Sequence, residues 1–547
     1  MFAGDSPTGG VGAHMTVRVQ PSLHARTLHG RLRAAGLLRS LGGALWGSLI
    51  RAVALVAVLL LAGCGGGGSD GDGDPASAVP ADALLYAELV VRPDGSLRED
   101  ALDAAGKVLR TEDPEARVRE LMREAFAGAD VDFERDVEPW LGERAGFWLG
   151  RSRARDDAGL LLVEAADVDV ARDSIRESLE RGGGTVSERS HRDTDYLVSS
   201  ESVAAGIVGD FAAFGREADL RRTIDAFEGE SLAGSGAYAR AVDGLEDERL
   251  AHFWVDTRRL AELAASRAQA GALLPFDSLR PLAGAFAADG ERLTVEVRSE
   301  GGDQVLGPWF AAGATPLVRE LPADAWVAGG TADAGAALRS AIDGVAGAFG
   351  GIAVRRQLQR ESGLDLDRDL LDWIGDTAFF VRGATPVAME AGLVIQPSDE
   401  SRAADAFGRL VGAIQRALEV DARPVDIPGA DQAFALRNAA APRPIVLARG
   451  AGLVVATFGL DAAEAALAPG DRLGDTEEYA EAEALVGMEP SLLVSMPDVL
   501  ELADAAGAGG EPDFIEIRPY LEAVGVIAAG AAADGEGATS RVAAGLR

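Results

Sequence analysis

The sequence predicts an α+β protein made of two tandem homologous repeats, each a mostly antiparallel sheet packed with helices. Three observations carry that prediction. The chain reads twice from residue 79 onward, apolar runs meet across glycine turns, and apolar residues recur at helical spacing between them. Hairpin signals favour antiparallel pairing, and amphipathic helices need a sheet face to cover.

Short matched segments define the duplication. Val79-Pro80-Ala81-Asp82-Ala83 returns as Leu321-Pro322-Ala323-Asp324-Ala325. The segment from Asp132 through Asp136 to Trp140 and Gly142 returns as Asp365 through Asp369 to Trp373 and Gly375. Ala158 to Leu162 returns as Ala391 to Ile395, displaced like the previous pair by 233 positions. Phe214-Gly215 matches Phe458-Gly459, Tyr238 matches Tyr479, and Arg280-Pro281 matches Arg518-Pro519. These matches set repeat 1 at 78–302, a junction at 303–318 and repeat 2 at 319–547.

Within each repeat the elements follow from local pattern. Leu84 to Val91 and Leu160 to Val163 read as strands. Val168, Ala171, Ile175 and Leu179 fall on one helical face, with Gly182 suited to end that helix. Ala403, Phe407, Leu410, Ile414 and Leu418 do the same in the second repeat. Near Arg449-Gly450-Ala451-Gly452 two apolar runs meet in a hairpin.

The N-terminus reads as an address. Residues 1–63 hold six Arg and one Asp and end in an unbroken apolar run, Ala52 to Ala62. Eleven residues make a helix of only ~16 Å, about half a bilayer core, so the run suits a secretory signal better than a membrane span. Leu61-Ala62-Gly63-Cys64 resembles the lipobox of bacterial lipoproteins. That resemblance implies cleavage before Cys64 and acylation of its thiol, with the protein held extracytoplasmically to the cell membrane. Gly- and Asp-rich residues 65–77 follow, so 64–77 is expected to be the lipidated cysteine and a flexible tether.

Charge and composition narrow the chemistry. The chain of 547 residues has a net charge of −35. Because residues 1–63 contribute +5, the remainder carries −40, which repels nucleic acid and anionic headgroups. Cys64 is the sole cysteine, so no internal disulfide, cysteine zinc site or thiol catalysis is expected. Lys107 is the only lysine, and after residue 63 only His191 and His252 remain.

The lipobox, the V-P-A-D-A-L-L-Y-A opening at Val79, the D-x-x-x-D-x-x-x-W-[LI]-G segment and the A-G-L-[LV]-[LI] strand together resemble bacterial secreted proteins of the "domain of unknown function 3352" family. The resemblance covers about residues 79–547. It implies a fold and supplies no site residue, because no activity comes with it.

Candidate chemistry is sparse. Asp365, Asp367, Asp369 and Asp376 match positions 1, 3, 5 and 12 of a calcium loop, as do Asp132, Glu134, Asp136 and Glu143. The template requires Gly at position 6, where Leu370 and Val137 stand. The competing reading is a short amphipathic helix with Leu366, Leu370, Trp373 and Ile374 inward, Asp365 as cap and the acids facing water. Trp140 and Trp373 read as repeated buried anchors, with ligand stacking as the alternative. His252, in a strand-like run without a second histidine, reads as a packed or hydrogen-bonded residue, and His191 as a solvated loop residue. No His-Glu-x-x-His or phosphate-binding Gly-Lys-Ser/Thr motif occurs.

The expected function is therefore that of a membrane-anchored extracytoplasmic lipoprotein, a non-catalytic envelope or cell-surface interaction protein. Its expected partners are the membrane, through the anchor on Cys64, and an unknown envelope protein. A carrier or sensor of an apolar, lipid-like ligand is the alternative, and a hydrolase the remaining one. No cofactor, metal or nucleic acid is expected, and Cys64 is the one site residue. An exposed apolar patch marks the first reading, a continuous apolar pocket the second, and clustered acids of perturbed pKa in a cleft the third.

Overall fold

The computed structural model of the chain describes residues 73–126, 131–151, 157–181, 185–200, 203–268, 279–300, 313–349, 359–360, 363–437, 442–533 and 537–547. Cys64, the signal at 1–63, most of the tether, Gly182 and most of the junction lie outside these residues.

Alternating apolar runs form the strands. The first ten are β1 (Leu85–Val90), β2 (Leu141–Arg151), β3 (Asp157–Ala165), β4 (Val186–His191) and β5 (Thr194–Ser199). They continue with β6 (Val203–Val208), β7 (Phe211–Arg216), β8 (Ala251–Val255), β9 (Leu282–Ala288) and β10 (Arg292–Glu300). The next are β11 (Ala325–Thr331), β12 (Ile374–Arg382), β13 (Glu390–Pro397), β14 (Ala422–Pro424) and β15 (Gln432–Leu436). The last are β16 (Ile445–Gly450), β17 (Leu453–Phe458), β18 (Leu492–Ser495), β19 (Val524–Ala533) and β20 (Gly537–Leu546).

All twenty strands join one sheet, and every pairing is antiparallel. From one edge the order is β4-β5-β6-β7-β3-β2-β1-β8-β9-β10. The β10–β20 pair, in register from Arg292 opposite Gly545 to Glu300 opposite Gly537, joins this arm to the second. The second arm continues β20-β19-β18-β11-β12-β13-β17-β16-β15-β14. Antiparallel hairpins close with short turns. At β16–β17 the two turn residues, Ala451 (φ 52°) and Gly452 (φ 76°), both take positive φ, the geometry that matches strand twist.

Helices cover the sheet unevenly. One face is sealed across both arms. In the first arm Leu160, Leu162 and Trp148 pack under the helix Glu217–Phe227, and Tyr86 and Trp254 against Tyr238 of the helix Gly236–Val242. In the second, Ala378, Phe380, Val455 and Ala528 pack under Leu460–Leu467 and Glu477–Val486. The opposite face is covered in its outer parts by Val168–Arg181, whose Ala171 and Ile175 are buried, and by Glu400–Leu418, whose Ala403 and Phe407 are buried. Both helices carry the apolar spacing that predicts them.

Two expectations are corrected here. The end of the predicted tether is not a free linker. Asp74 caps a 3-10 turn, Pro75–Ala78, by accepting a hydrogen bond from the Ala76 amide at 2.8 Å, and Pro75, Ala76 and Ala78 are buried. A Cβ on Gly146 of β2 would collide with the Pro75 ring, so the absent side chain lets this segment lie directly on the sheet. His191, expected in a solvated loop, ends β4 and meets Asp225 with Nε2 to Oδ1 at 3.0 Å.

Candidate functional site

The repeated D-x-x-x-D-x-x-x-W segment forms a single turn with i to i+5 bonding, Phe133–Val137 in the first arm and Asp367–Leu371 in the second. Asp132 and Asp365 cap it, accepting from the amides of Arg135 and Arg368. The expectation that all the acids face water fails at the middle one. Asp136 and Asp369 are buried, each accepting from the capping residue's own amide at 2.9 Å and from two arginines. Those arginines are Arg135 and Arg181 on Asp136, and Arg368 and Arg409 on Asp369. The guanidinium hydrogen bonds hold both carboxyls below the usual carboxylate range, at about 2 for Asp369. Each tryptophan then donates its indole N–H to the carbonyl of that buried aspartate, at 2.6 Å for Trp140 and 2.8 Å for Trp373. The constellation is thus a buried structural lock. Asp376, the last residue of the calcium template, lies apart, accepting from Thr315 Oγ1 and the Asp333 amide. Among the described residues no group of three or more His, Cys, Asp or Glu is placed to hold a metal ion.

A second polar cluster belongs to the first arm alone. Tyr86 and Glu88 alternate onto the sealed face of β1, and Glu88 lies opposite His252 of β8. The Tyr86 hydroxyl donates to Glu88 Oε2 at 2.7 Å, and Tyr238 Oη sits 3.0 Å from His252 Nε2. Burial dominates their electrostatics: it pushes the Glu88 carboxyl up, and with Arg249 nearby it brings the His252 ring down to about 4. His252 is therefore a neutral, hydrogen-bonded residue. Glu88, Arg92, Arg144, Arg249 and His252 line a cleft of about 200 Å³. At the matching places of β11 stand Ala328 and Gly330, and the buried Tyr479 hydroxyl has no partner among the described residues. The fold does not need the cluster. Sequence reading placed His252 as hydrogen-bonded but had no signal for Glu88, whose partners come from distant strands.

A third feature is apolar. Directly paired residues of an antiparallel sheet point to the same face, so the registers define rows across it. One such row runs Leu89, Ala251, Phe286, Val295, Val542, Ala529, Leu492, Gly329, Phe379 and Leu393. Flanking rows add Phe147, Phe253, Val297, Val327, Val381 and Val494. Among the described residues the helix Gly95–Leu109 packs on Phe286 and Leu293, and cover along the rest of the rows is partial. Val295, Val542, Phe379 and Leu393 are 39–44% exposed, whereas comparable side chains on the sealed face are below 10%. The helix Pro512–Glu522 adds exposed Ile515, Ile517 and Tyr520.

No helix of the described residues is long and apolar enough to cross a membrane. No curated protein matches the chain. Among solved structures, crystal form III of TP0453 aligns at 10% identity with a TM-score of 0.23, covering 42% of this chain and 80% of its own. Crystal form I of TP0453 aligns at 10% identity with a TM-score of 0.22, covering 43% and 82%. A family model described as "Protein of unknown function (DUF3352)" matches residues 45–429, well over half of the chain, and the chain belongs to that family.

Proposed function

We propose that this chain is an extracytoplasmic lipoprotein, anchored to the cell membrane through acylated Cys64, that binds another envelope protein through the apolar strip and performs no catalysis of its own. The strip is the observation that carries the reading. Exposing four large apolar side chains, Val295 beside Val542 and Phe379 beside Leu393, in two pairs of neighbouring strands costs stability in water and is maintained where a partner covers them. The cleft beside Glu88 is small and lined by charged groups, which gives the apolar-carrier reading no support. Two tandem repeats, 78–302 and 319–547, underlie the architecture in this reading. Their support is the strand order, which runs through each set of ten identically from the β10–β20 pair outward, and the two matching aspartate–tryptophan locks.

Two measurements in the producing bacterium test the parts separately. Cys64→Ala should release the protein from the membrane and abolish acyl labelling; retention of both ends the anchor reading. A photo-crosslinking residue at Phe379, Leu393 or Val542 should trap a protein partner, while one at exposed Arg172 on the far helix should not. Equal crosslinking at all positions, or none at the strip, overturns the contact reading.

A further inference from the structure

Resting on that contact reading, we infer that the partner presents a basic amphipathic segment, its apolar side on the strip and its cationic side toward an acidic rim. Charge decides among the possible occupants. The chain beyond residue 63 carries −40, so a second copy brings like charge, as does an anionic bilayer surface. A polypeptide with basic flanks meets both the apolar rows and the surrounding potential.

The acidic rim is local to the strip as well as global. The helix Gly95–Leu109 packs against the β9–β10–β20 part of the rows, where Ala101 and Ala104 cluster with Phe286, Leu293 and Leu546. That helix brings Glu99, Asp100 and Asp103 beside Glu248 and Asp289 of neighbouring loops. Their mutual repulsion adds to desolvation in raising the Asp100 carboxyl above its ordinary value. Arg292 pairs with Asp289 there, and Arg110 reaches across to Glu522 at the foot of the helix bearing Ile515 and Ile517. Acidic charge thus borders the rows at their Val295–Val542 part. Aliphatic side chains framed by carboxylates match a helix or strand with leucines on one side and lysines or arginines on the other.

The full-length acylated protein, in phosphatidylcholine nanodiscs, is titrated with a fluorescent 18-residue Leu/Lys amphipathic peptide, with empty nanodiscs as background. The triple variant F379S/L393S/V542S keeps the charge and removes the apolar contacts. Specific binding should weaken about tenfold or more in this variant, weaken with added salt, and be absent for the Leu/Glu counterpart. Because these positions are exposed, the variant should retain the parent's circular dichroism and melting temperature; if it does not, F379S and V542S are tested singly with the same criterion. Equal binding to parent and variant shows that acidity alone attracts the peptide and overturns the inference. So does preference for the Leu/Glu peptide, for vesicles of phosphatidylglycerol, or for a second copy of the protein by sedimentation. Crosslinking to a partner that lacks a basic amphipathic segment would end this inference while leaving the contact reading intact.

Discussion

Replacing Trp373 by Phe tests the aspartate–tryptophan lock at its least redundant bond. Trp373 is 1% exposed, and its indole donates to the Asp369 carbonyl at 2.8 Å, closing the turn onto the start of β12. Phenylalanine keeps an aromatic ring in place but leaves that carbonyl without the donor, a loss of about 1–3 kcal/mol. The smaller ring also leaves a void of roughly 30–40 Å³, which adds about 1 kcal/mol. The expected destabilisation is therefore about 2–4 kcal/mol. Trp140, 3% exposed with its bond at 2.6 Å, holds the matching place in the other arm, but there the Asp136 carbonyl also accepts from the Ser174 hydroxyl. Trp140→Phe should therefore cost less, because Ser174 still donates to that carbonyl, and the double variant should cost the sum, since the two sites share no partner. Urea unfolding at constant m gives the stability change, and amide exchange over 365–373 reports whether the turn itself has loosened. A change below about 0.5 kcal/mol with unaltered exchange would refute the lock as argued.

Further outcomes follow from the same structure. His252 has its folded pKa at about 4, below the unfolded value of about 6.5, so the unfolded chain takes up this proton first. Its contribution is complete above pH 6.5 and falls as the pH drops toward 4, by at most about 3 kcal/mol, while the raised carboxyls of Glu88 and Asp74 act in the opposite sense. His252→Gln should flatten the loss of stability across that window, and an unchanged pH profile would contradict the assignment. At the seam between the arms, Arg541 meets the buried Glu296 at 2.6 Å and donates to the Val486 carbonyl. Arg541→Ala strands that carboxylate and should cost about 3 kcal/mol in thermal or urea unfolding; a cost below about 1 kcal/mol would mean that water or Arg298 replaces the pair.

Much of the architecture is legible in the chain because it rests on local physics. Helical spacing at Val168–Leu179 and Ala403–Leu418 places both outer helices, since an apolar stripe has no other stable use in water. The β16–β17 turn is marked by Gly452, which takes positive φ without the steric cost that Ala451 beside it bears. Apolar runs meeting across glycine turns anticipate an antiparallel sheet, and the helical spacing between them the helices on it. Other features exist only after distant strands meet. Asp136 and Asp369 read as solvent-facing acids until Arg181 and Arg409 arrive from later helices to neutralise them. Glu88 looks like one acid among many until β8 sets His252 opposite it. The apolar strip is hidden for the same reason. Alternation along a strand tells which residues share a face, whereas coverage of that face is decided by where helices from elsewhere in the chain come to rest.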